Sequence, residues 1–250
     1  MSAGESRPAG DLVARAIEAH GGLTVWDSAV ELSVRLSSGG FAFASKLQAR
    51  AVRDIEGRVS TRGQRTVLEP YPEPGRRGVF EDGAVRIERS DGEIVAARAD
   101  ARAAFGGVRH ALWWDRLDML YFAGYALWTY LSLPFLLARP EYGVRELEPW
   151  QEGGETWRRL AVTFPAGIHT HCREQVLHLD ERGLIRRHDY TAEPIGSWAH
   201  AAHYCHDHRD FHGLVVPTRR RAYPRRPDGR PRRAPLLVWI DVDDAHPIAR

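Results

Sequence analysis

The stretch Gln175–Arg186, QVLHLDERGLIR, joins two short runs rich in apolar residues through the tetrapeptide Asp180–Gly183. Successive side chains of a strand point to opposite faces, so Gln175 and Leu177 would share one face with Leu179, and Val176 and His178 would share the other. Asp and Gly are residues that favour a tight chain reversal. The stretch therefore predicts an antiparallel β-hairpin.

Short runs of the same kind, separated by turns that contain Gly or Pro, continue on both sides of this hairpin. Asp82-Gly83 and Asp91-Gly92 are strong hairpin-turn signals. We predict strands over residues 30–98 and 143–241, among them Phe41–Val52, His169–Leu179 and Leu236–Asp241. An N-terminal helix over 11–20 precedes them, and a helical block over 99–138, a lid or core element, separates the two sets.

The apolar stretch Leu120–Leu137 (LYFAGYALWTYLSLPFLL) has 18 residues without a formal charge, which reaches the lower limit of a membrane span. We favour a buried or lid helix here, with a membrane span or an interfacial helix as alternatives. The reasons are the tyrosines and tryptophan in the stretch, the presence of Gly124 and Pro134, and the lack of flanking basic clusters. Three of its aromatic residues share the i, i+4, i+7 spacing of one helical face. We expect these three to face a cavity and bind a ligand: Tyr121, Tyr125 and Trp128.

Together these patterns predict one α+β domain over residues 1–250, a highly curved antiparallel sheet (half-barrel) wrapped around one or two apolar helices. Gln175–Arg186 and the later segment Asp210–Arg219, DFHGLVVPTR, resemble the lipoprotein-carrier (LolA/LolB-like) superfamily of half-barrels. The likeness is best over residues 157–223. It implies a concave sheet closed by helices over an apolar cavity that holds a lipid or another hydrophobic ligand.

Composition excludes several classes of protein. Hydrophobic residues make up 43% and charged residues 27%, which is ordinary for a folded chain and argues against disorder. Two cysteines cannot form a disulfide scaffold. The polar N-terminus MSAGESRPAG lacks the apolar core of a signal peptide, so we expect a cytoplasmic protein, and a cytoplasmic branch of the superfamily that it resembles.

Nine of the twelve histidines lie in the 44 residues from His169 to His212. With a four-residue turn at Asp180–Gly183, Gln175 would face His188 and Arg173 would face Tyr190. The apolar segment around His203 and Tyr204 is expected to join the same cluster from the next strand.

We prefer acid–base chemistry on a hydrophobic small molecule, such as isomerisation, cyclisation, hydration or elimination, because imidazole can accept and donate protons near neutral pH. No nucleophile, zinc-protease or nucleotide-binding motif is present. The predicted catalytic residues are His171, His188, His203, Tyr190 and Arg173. Gln175 and Tyr204 are expected to contact the ligand.

Three alternatives stay open. A divalent metal could be held by His169, His171 and His188, because a His-x-His pair on a strand presents two imidazoles on one face. A carrier or sensor could bind a lipid-like ligand without changing it. The histidines could instead be structural, hydrogen-bonded across strands or exposed.

The segment Thr218–Arg233 contains eight arginines and one acid. We expect the solvated end of a hairpin here, with a docking surface for an acidic partner at Arg219–Arg233 as the alternative. Nucleic-acid binding is not expected, because aromatic platforms and recognised modules are missing. The chain has 34 arginines and one lysine, but its 33 acidic residues reduce the net charge to +2. We therefore interpret the high arginine content mainly as a feature of the overall composition.

Overall fold

The structure, a computed structural model, describes residues 9–249; residues 1–8 and Arg250 of the predicted domain lie outside the described residues. Five helices are present there: α1 Gly10–Ala19, α2 Gly22–Ser28, α3 Phe41–Ala44, α4 Val108–Leu112 and α5 Arg116–Ser132, with 3-10 turns at Ala103–Phe105 and Phe135–Ala138. The first six strands are β1 Ala29–Gly39, β2 Ile55–Ser60, β3 Arg65–Glu69, β4 Arg76–Glu81, β5 Ala84–Arg89 and β6 Ile94–Arg98. The other seven are β7 Gly143–Glu152, β8 Glu155–Thr163, β9 Glu174–Leu179, β10 Ile185–Thr191, β11 His200–Phe211, β12 Leu214–Pro224 and β13 Val238–Ala249.

All thirteen strands belong to one antiparallel sheet, in the order β6-β5-β4-β3-β2-β1-β13-β12-β11-β10-β9-β8-β7. The first and last strands meet in its middle, where Val34 of β1 lies between Gly57 of β2 and Ala245 of β13. Within residues 9–249 the sheet stays open, because β6 and β7 each pair on one side only. The predicted α+β fold, a curved antiparallel half-barrel with few helices, is confirmed.

Helix α5 begins at a capping box. The Asp115 carboxylate accepts from the Asp118 backbone N–H, and the Asp118 carboxylate accepts from that of Asp115. Every residue from Asp118 to Ser132 is buried, so α5 is a core helix. Across residues 9–249, no helix has the length and apolar character that crossing a membrane would take.

Three glycines let α5 lie close to the N-terminal half of the sheet. A Cβ at Gly57 would lie 2.7 Å from Leu127 Cδ2, and one at Gly78 would lie 2.6 Å from Leu120 Cδ1. A Cβ at Gly124 of α5 itself would lie 2.4 Å from Phe80 Cβ. Approaches this short would force a neighbour to shift. The ends of the two leucine side chains can move, whereas the Phe80 Cβ is fixed to the backbone, so the close approach of α5 depends most on Gly124.

We expect Gly124→Ala to destabilise the protein by about 1–3 kcal/mol, because the methyl group would meet the backbone-proximal Cβ of Phe80, which cannot rotate away. Alanine has a higher helix propensity than glycine by about 1 kcal/mol, and the steric cost acts against this gain. Urea unfolding measures the net change in the free energy of unfolding. Gly10→Ala is the matched control, because Gly10 opens α1 and a Cβ there would meet nothing within 4 Å. Equal or greater stability of Gly124→Ala would show that the close packing is not real.

Several predicted boundaries are wrong. Phe41–Val52 is not a strand: Phe41–Ala44 is the short helix α3, and turns follow it. Its first two backbone N–H groups donate to the carbonyls of Leu236 and Leu237, which precede β13. Strand β9 begins at Glu174, so residues 169–173 form a loop before it. The last strand extends to Ala249, well beyond the predicted end at Asp241.

The β9–β10 hairpin has a different register from the predicted one. His188 pairs with Leu177, and Asp189 pairs with Val176, because the turn is one residue longer than predicted, so that Leu179 pairs with Ile185, and a bulge between Ile185 and Arg187 adds the second residue. The predicted partner of His188 was Gln175, two residues away. A shift by two residues keeps every side chain on its face, so Gln175 and His188 remain on the same side of the sheet.

Candidate functional site

A cavity of about 420 Å³ lies between α5 and the concave face of the C-terminal half of the sheet. Its wall is mainly apolar and comes from α3, α5, β1, β10, β11, β12, β13 and the segment that precedes β13. Phe41 and Trp198 line it and are 57% and 74% exposed, so the cavity wall includes side chains that reach the surface. The volume is in the range that a drug-sized or single-chain ligand fills.

The face of α5 that lines the cavity is not the predicted one. It consists of Phe122, Ala123, Ala126, Leu127 and Tyr130. The predicted ligand-binding residues Tyr121, Tyr125 and Trp128 are buried elsewhere. Tyr121 bonds to His169, Tyr125 bonds to His171, and the Trp128 indole N–H donates to the Ser60 and Gly63 carbonyls. Since α5 is apolar on every side, its pattern could not indicate which face the cavity would take.

Tyr130 and Tyr190 connect the cavity wall to the buried histidines. Their hydroxyl oxygens are 2.8 Å apart. The Tyr190 hydroxyl also lies 3.1 Å from His203 Nδ1, and the Tyr130 hydroxyl lies 2.6 Å from His171 Nε2. Both tyrosines are buried and both line the cavity. The result is a continuous hydrogen-bonded chain from His171 to His203 along the wall.

His171 is held on three sides. Its Nδ1 lies 3.0 Å from the Tyr125 hydroxyl, and its Nε2 forms a hydrogen bond with the Tyr130 hydroxyl. Its ring stacks on that of Tyr190, with the ring centroids 4.0 Å apart. A neutral imidazole has one N–H and one acceptor nitrogen, so two tyrosine hydroxyls satisfy it completely. His171 therefore has no free nitrogen for a substrate or a metal ion.

His188 bonds through Nε2 to the Gln175 side-chain oxygen at 2.6 Å. The Gln175 amide nitrogen in turn donates to the Thr170 hydroxyl and to the Cys172 carbonyl, at 2.7 and 2.8 Å. Gln175, predicted as a ligand contact, thus orients His188 and is not among the residues that line the cavity.

The three central histidines are fully buried, and burial is the main reason why their pKa values fall. The pKa of His188 drops from 6.5 to about 3, mainly through desolvation and then through the positive charge of Arg220. Desolvation, followed by the charge of Arg220, also holds the pKa of His203 well below 6.5. Desolvation and the neighbouring His188 and Arg102 do the same for His171. All three imidazoles are therefore neutral at pH 7.

Arg220 was not predicted as a site residue, yet it lies against this chain of hydrogen bonds. Its guanidinium is buried, lies 5.1 Å from the Tyr130 ring centroid and donates to the Tyr130 carbonyl at 3.0 Å and to Cys205 Sγ at 3.3 Å. Tyr130 was missed as well. The arginine run hid Arg220, because eight similar residues give no sequence signal for the one whose guanidinium lies against Tyr130.

Two predicted site residues lie elsewhere. Arg173 is exposed and its Nε donates to the Phe164 carbonyl at 3.3 Å, so it is not part of the hydrogen-bonded chain of tyrosines and histidines, and a catalytic Arg173 stays a prediction. It precedes β9, so strand alternation does not apply to it. Tyr204 is adjacent to His203 on β11 and therefore points to the opposite face, where it contacts Glu152 and Arg187.

The predicted metal triad does not form. His169 bonds through Nδ1 to Tyr121, while His171 and His188 bond to tyrosine and glutamine side chains. Within residues 9–249, no group of three His, Cys, Asp or Glu side chains is placed to hold a metal ion.

On the opposite face of β10 lies a second, separate polar cluster around Arg187, which is fully buried. Its guanidinium contacts both Asp189 oxygens at 2.6 and 2.9 Å and Glu152 Oε2 at 2.7 Å. It also donates to the Gly229 carbonyl, which ties the loop after β12 to the sheet. These contacts satisfy the arginine internally, so the cluster is structural.

The first three arginines of the run are engaged within the chain. Arg219 and Arg221 pair with Asp207 and Asp241, at 2.8 and 2.7 Å, and Arg220 is buried. The predicted docking surface for an acidic partner at Arg219–Arg233 therefore reduces to the exposed arginines of the loop after β12, where it stays a prediction.

Comparisons with known proteins find the fold but no sequence family. No protein-family model matches the chain, and no curated protein matches it. A LolA superfamily protein from Nitrosomonas europaea matches with a TM-score of 0.53 at 11% identity, over 98% of this chain and 95% of that one. A DUF1329 family protein from Desulfovibrio piger has a TM-score of 0.54 at 12% identity, over 97% and 94%.

A third solved structure, described as an outer membrane lipoprotein-sorting protein domain from Vibrio parahaemolyticus, matches with a TM-score of 0.52 at 11% identity, over 96% of this chain and 93% of that chain. Identity this low bears on the fold alone. The chain has the LolA/LolB-like lipoprotein-carrier fold, and the resemblance read from Gln175–Arg186 and Asp210–Arg219 is confirmed at that level.

Proposed function

We propose that the protein binds a hydrophobic, lipid-like small molecule in the cavity beneath α5 and holds it without chemical change, as a carrier or a sensor. The observation that carries this proposal is the cavity itself. It has a volume of about 420 Å³ and a mainly apolar wall, which includes two exposed aromatic residues, Phe41 and Trp198. Such pockets bury most of an apolar ligand and gain free energy from the area removed from water.

The likeness to a protein described as a lipoprotein-sorting domain supports the same class of ligand. The state of the histidines supports binding over catalysis. His171, His188 and His203 are not among the residues that line the cavity, and their low pKa values make them weak bases at pH 7.

We expect Ala126→Phe to weaken binding of the neutral fluorescent probe N-phenyl-1-naphthylamine at least about tenfold, because a phenyl ring on the α5 wall would occupy the cavity. Fluorescence titration measures the dissociation constant, and circular dichroism verifies the fold. Ala14→Phe, on the exposed face of α1, is the matched control and should bind the probe as the native chain does. Equal affinity in both variants would place the probe outside this cavity and contradict the proposal.

The second candidate is an acid–base enzyme, favoured by one observation: the hydroxyls of Tyr130 and Tyr190 at the cavity wall connect to His171 and His203. The two candidates differ in what happens to a bound molecule. Lipid extracts incubated with the native chain and with Tyr190→Phe should give identical mass spectra if the protein only binds. A product formed by the native chain and lost in Tyr190→Phe would support the enzyme instead.

A further inference from the structure

Seven large apolar side chains are exposed in residues 9–249, and they are not spread evenly over the surface. Two of them, Leu23 and Ile94, lie on α2 and β6, which contribute nothing to the cavity wall. The other five either line the cavity or lie in segments hydrogen-bonded around Lys46, which lines it: Phe41, Leu47, Leu112, Trp113 and Trp198. Single exposed apolar residues are ordinary, but a group of them marks a surface that another molecule covers.

Two neighbouring segments, the loop after α3 and the end of α4, carry three of these side chains: Leu47, Leu112 and Trp113. Lys46 Nζ donates to the Ala111 carbonyl at 2.5 Å, and the Trp114 backbone N–H donates to the Lys46 carbonyl at 3.2 Å. The three side chains follow or lie between these bonded residues in the chain, and they are 78%, 66% and 43% exposed. We call these three residues the docking patch.

Leu47 has a backbone conformation that its own side chain disfavours. Its φ is 61°, in the left-handed region that Gly and Asn adopt most easily, and its side chain is 78% exposed. A leucine at this position carries a conformational cost and leaves apolar area in water, and it gains little packing in return. Such strain concentrates where residues bind other molecules. This residue therefore points to a partner that buries it.

The free charges beside the docking patch are basic. The segment 40–53, which contains α3 and the loop after it, has no Asp or Glu and three bases: Lys46, Arg50 and Arg53. Lys46 is buried, whereas the two arginines are exposed. The Arg53 guanidinium carbon lies 4.3 Å from the centroid of the Trp239 ring. Asp54, the next residue, accepts a hydrogen bond from the Ser37 hydroxyl at 2.9 Å.

The acids on the α4 side of the patch are already neutralised. Asp115 and Asp118 at the start of α5 pair with Arg98 at 2.7 and 2.5 Å, and Arg109 lies 3.2 Å from Asp118. The guanidinium carbon of Arg109 also lies 4.7 Å from the Trp113 ring centroid. Leucine and tryptophan side chains beside exposed arginines are typical of proteins that lie on an anionic bilayer, where apolar groups enter the interface and guanidiniums contact phosphate.

We propose that the docking patch binds the surface of an anionic lipid bilayer, with its three apolar side chains in the interfacial layer and with Arg50 and Arg53 at the lipid phosphates. The inference goes beyond the proposed ligand-binding function and does not depend on it. It adds a partner composed of lipid-like molecules at the side of the protein where Lys46 joins the patch to the cavity wall.

Sedimentation of the native chain with two kinds of vesicle tests the proposal: phosphatidylcholine alone, and phosphatidylcholine mixed with phosphatidylglycerol. We expect binding to the anionic vesicles to be about tenfold or more tighter, and this preference to fall as salt is raised. Arg50→Gln/Arg53→Gln should remove most of the preference. The matched control, Arg182→Gln/Arg209→Gln, changes two exposed arginines of the β9–β10 turn and of β11 and should retain it.

The apolar part of the patch is tested with Leu47→Asn/Leu112→Gln, which should weaken binding to the anionic vesicles about tenfold or more. Leu23→Gln/Ile94→Gln is the matched control, because it changes the two exposed large apolar residues outside the patch. Urea unfolding separates docking from a structural role. Leu47→Asn alone should be at least as stable as the native chain, because Asn adopts the left-handed backbone more easily.

Each other outcome overturns the proposal. If the native chain binds neither kind of vesicle, the patch does not dock on a bilayer, while the titration with N-phenyl-1-naphthylamine still reports on the cavity independently. Equal losses in the Leu47/Leu112 and Leu23/Ile94 variants would place the contact elsewhere on the surface. If sedimentation velocity shows self-association of the native chain that Leu47→Asn/Leu112→Gln abolishes, a second copy of the chain covers the patch instead.

Discussion

Lowering the pH from 7.5 to 5 is expected to reduce the free energy of unfolding by about 6 kcal/mol through three histidines alone. His171, His188 and His203 are fully buried and neutral in the folded chain, because desolvation lowers their pKa values. In the unfolded chain each would titrate near 6.5. Each therefore contributes about 2 kcal/mol over this interval, and the sum is a large part of the stability of an ordinary domain.

The sign follows from proton binding. Below pH 6.5 the unfolded chain takes up protons that the folded chain cannot accept, so acid favours unfolding. The effect is absent above about pH 7, grows as the pH falls below 6.5, and levels off only near the folded pKa, which is about 3 for His188. Charges on neighbouring elements do not reverse it. After burial, the Arg220 charge further lowers the pKa values of His188 and His203, and the opposing effect of Asp189 on His188 is smaller. For His171 the nearby His188 and Arg102 act in the same direction as burial.

Urea unfolding at a series of pH values measures this dependence. His188→Gln should lower the slope between pH 6 and 4 by up to about 1.4 kcal/mol per pH unit relative to the native chain. The matched control is His246→Gln, which changes an exposed side chain of β13 and should leave the slope unchanged. A native slope no steeper than that of His188→Gln would mean that His188 becomes protonated within the folded protein, contrary to its burial.

Arg187→Met is expected to destabilise the protein by about 3–5 kcal/mol. The arginine is fully buried, and its removal leaves the carboxylates of Asp189 and Glu152 without their main counter-charge. Burial alone would raise the pKa of Asp189, but the hydrogen bond from His178 and the charge of Arg187 outweigh burial and hold it below 3.8. The substitution would also release the loop that Arg187 holds through the Gly229 carbonyl.

Arg186→Met is the matched control for this loss, because the neighbouring side chain is partly exposed and its contacts to Asp180 and Glu155 are 3.4 and 4.0 Å long. A partly exposed pair of this kind contributes at most about 1 kcal/mol. Replacing Asp189 by Asn in the Arg187→Met background should recover part of the stability, because one uncompensated charge is removed. Similar losses in Arg186→Met and Arg187→Met would rule out a special role for the buried cluster.

The hairpin at Asp180–Gly183 illustrates what local sequence could establish. Alternation assigned Gln175, His188 and Tyr190 to one face correctly, although the register was two residues out, because a shift by an even number preserves the face. The same rule could not apply to Arg173, which precedes the strand. The alternation rule is also inconsistent with placing both His203 and Tyr204 in the cluster, because adjacent strand residues face opposite sides.

By itself, the sequence determined the class of fold, the antiparallel strands with their turns, and the burial of the helix α5. These features depend on neighbours along the chain: the alternation of side chains, the turn residues and the long apolar stretch. Only the tertiary structure decided which face of α5 lines the cavity, because an all-apolar helix has no preferred side and its position is set by close approaches at Gly57, Gly78 and Gly124. It also decided that Arg220 is buried while Arg219 is exposed, since identical side chains differ only in what long-range packing places beside them.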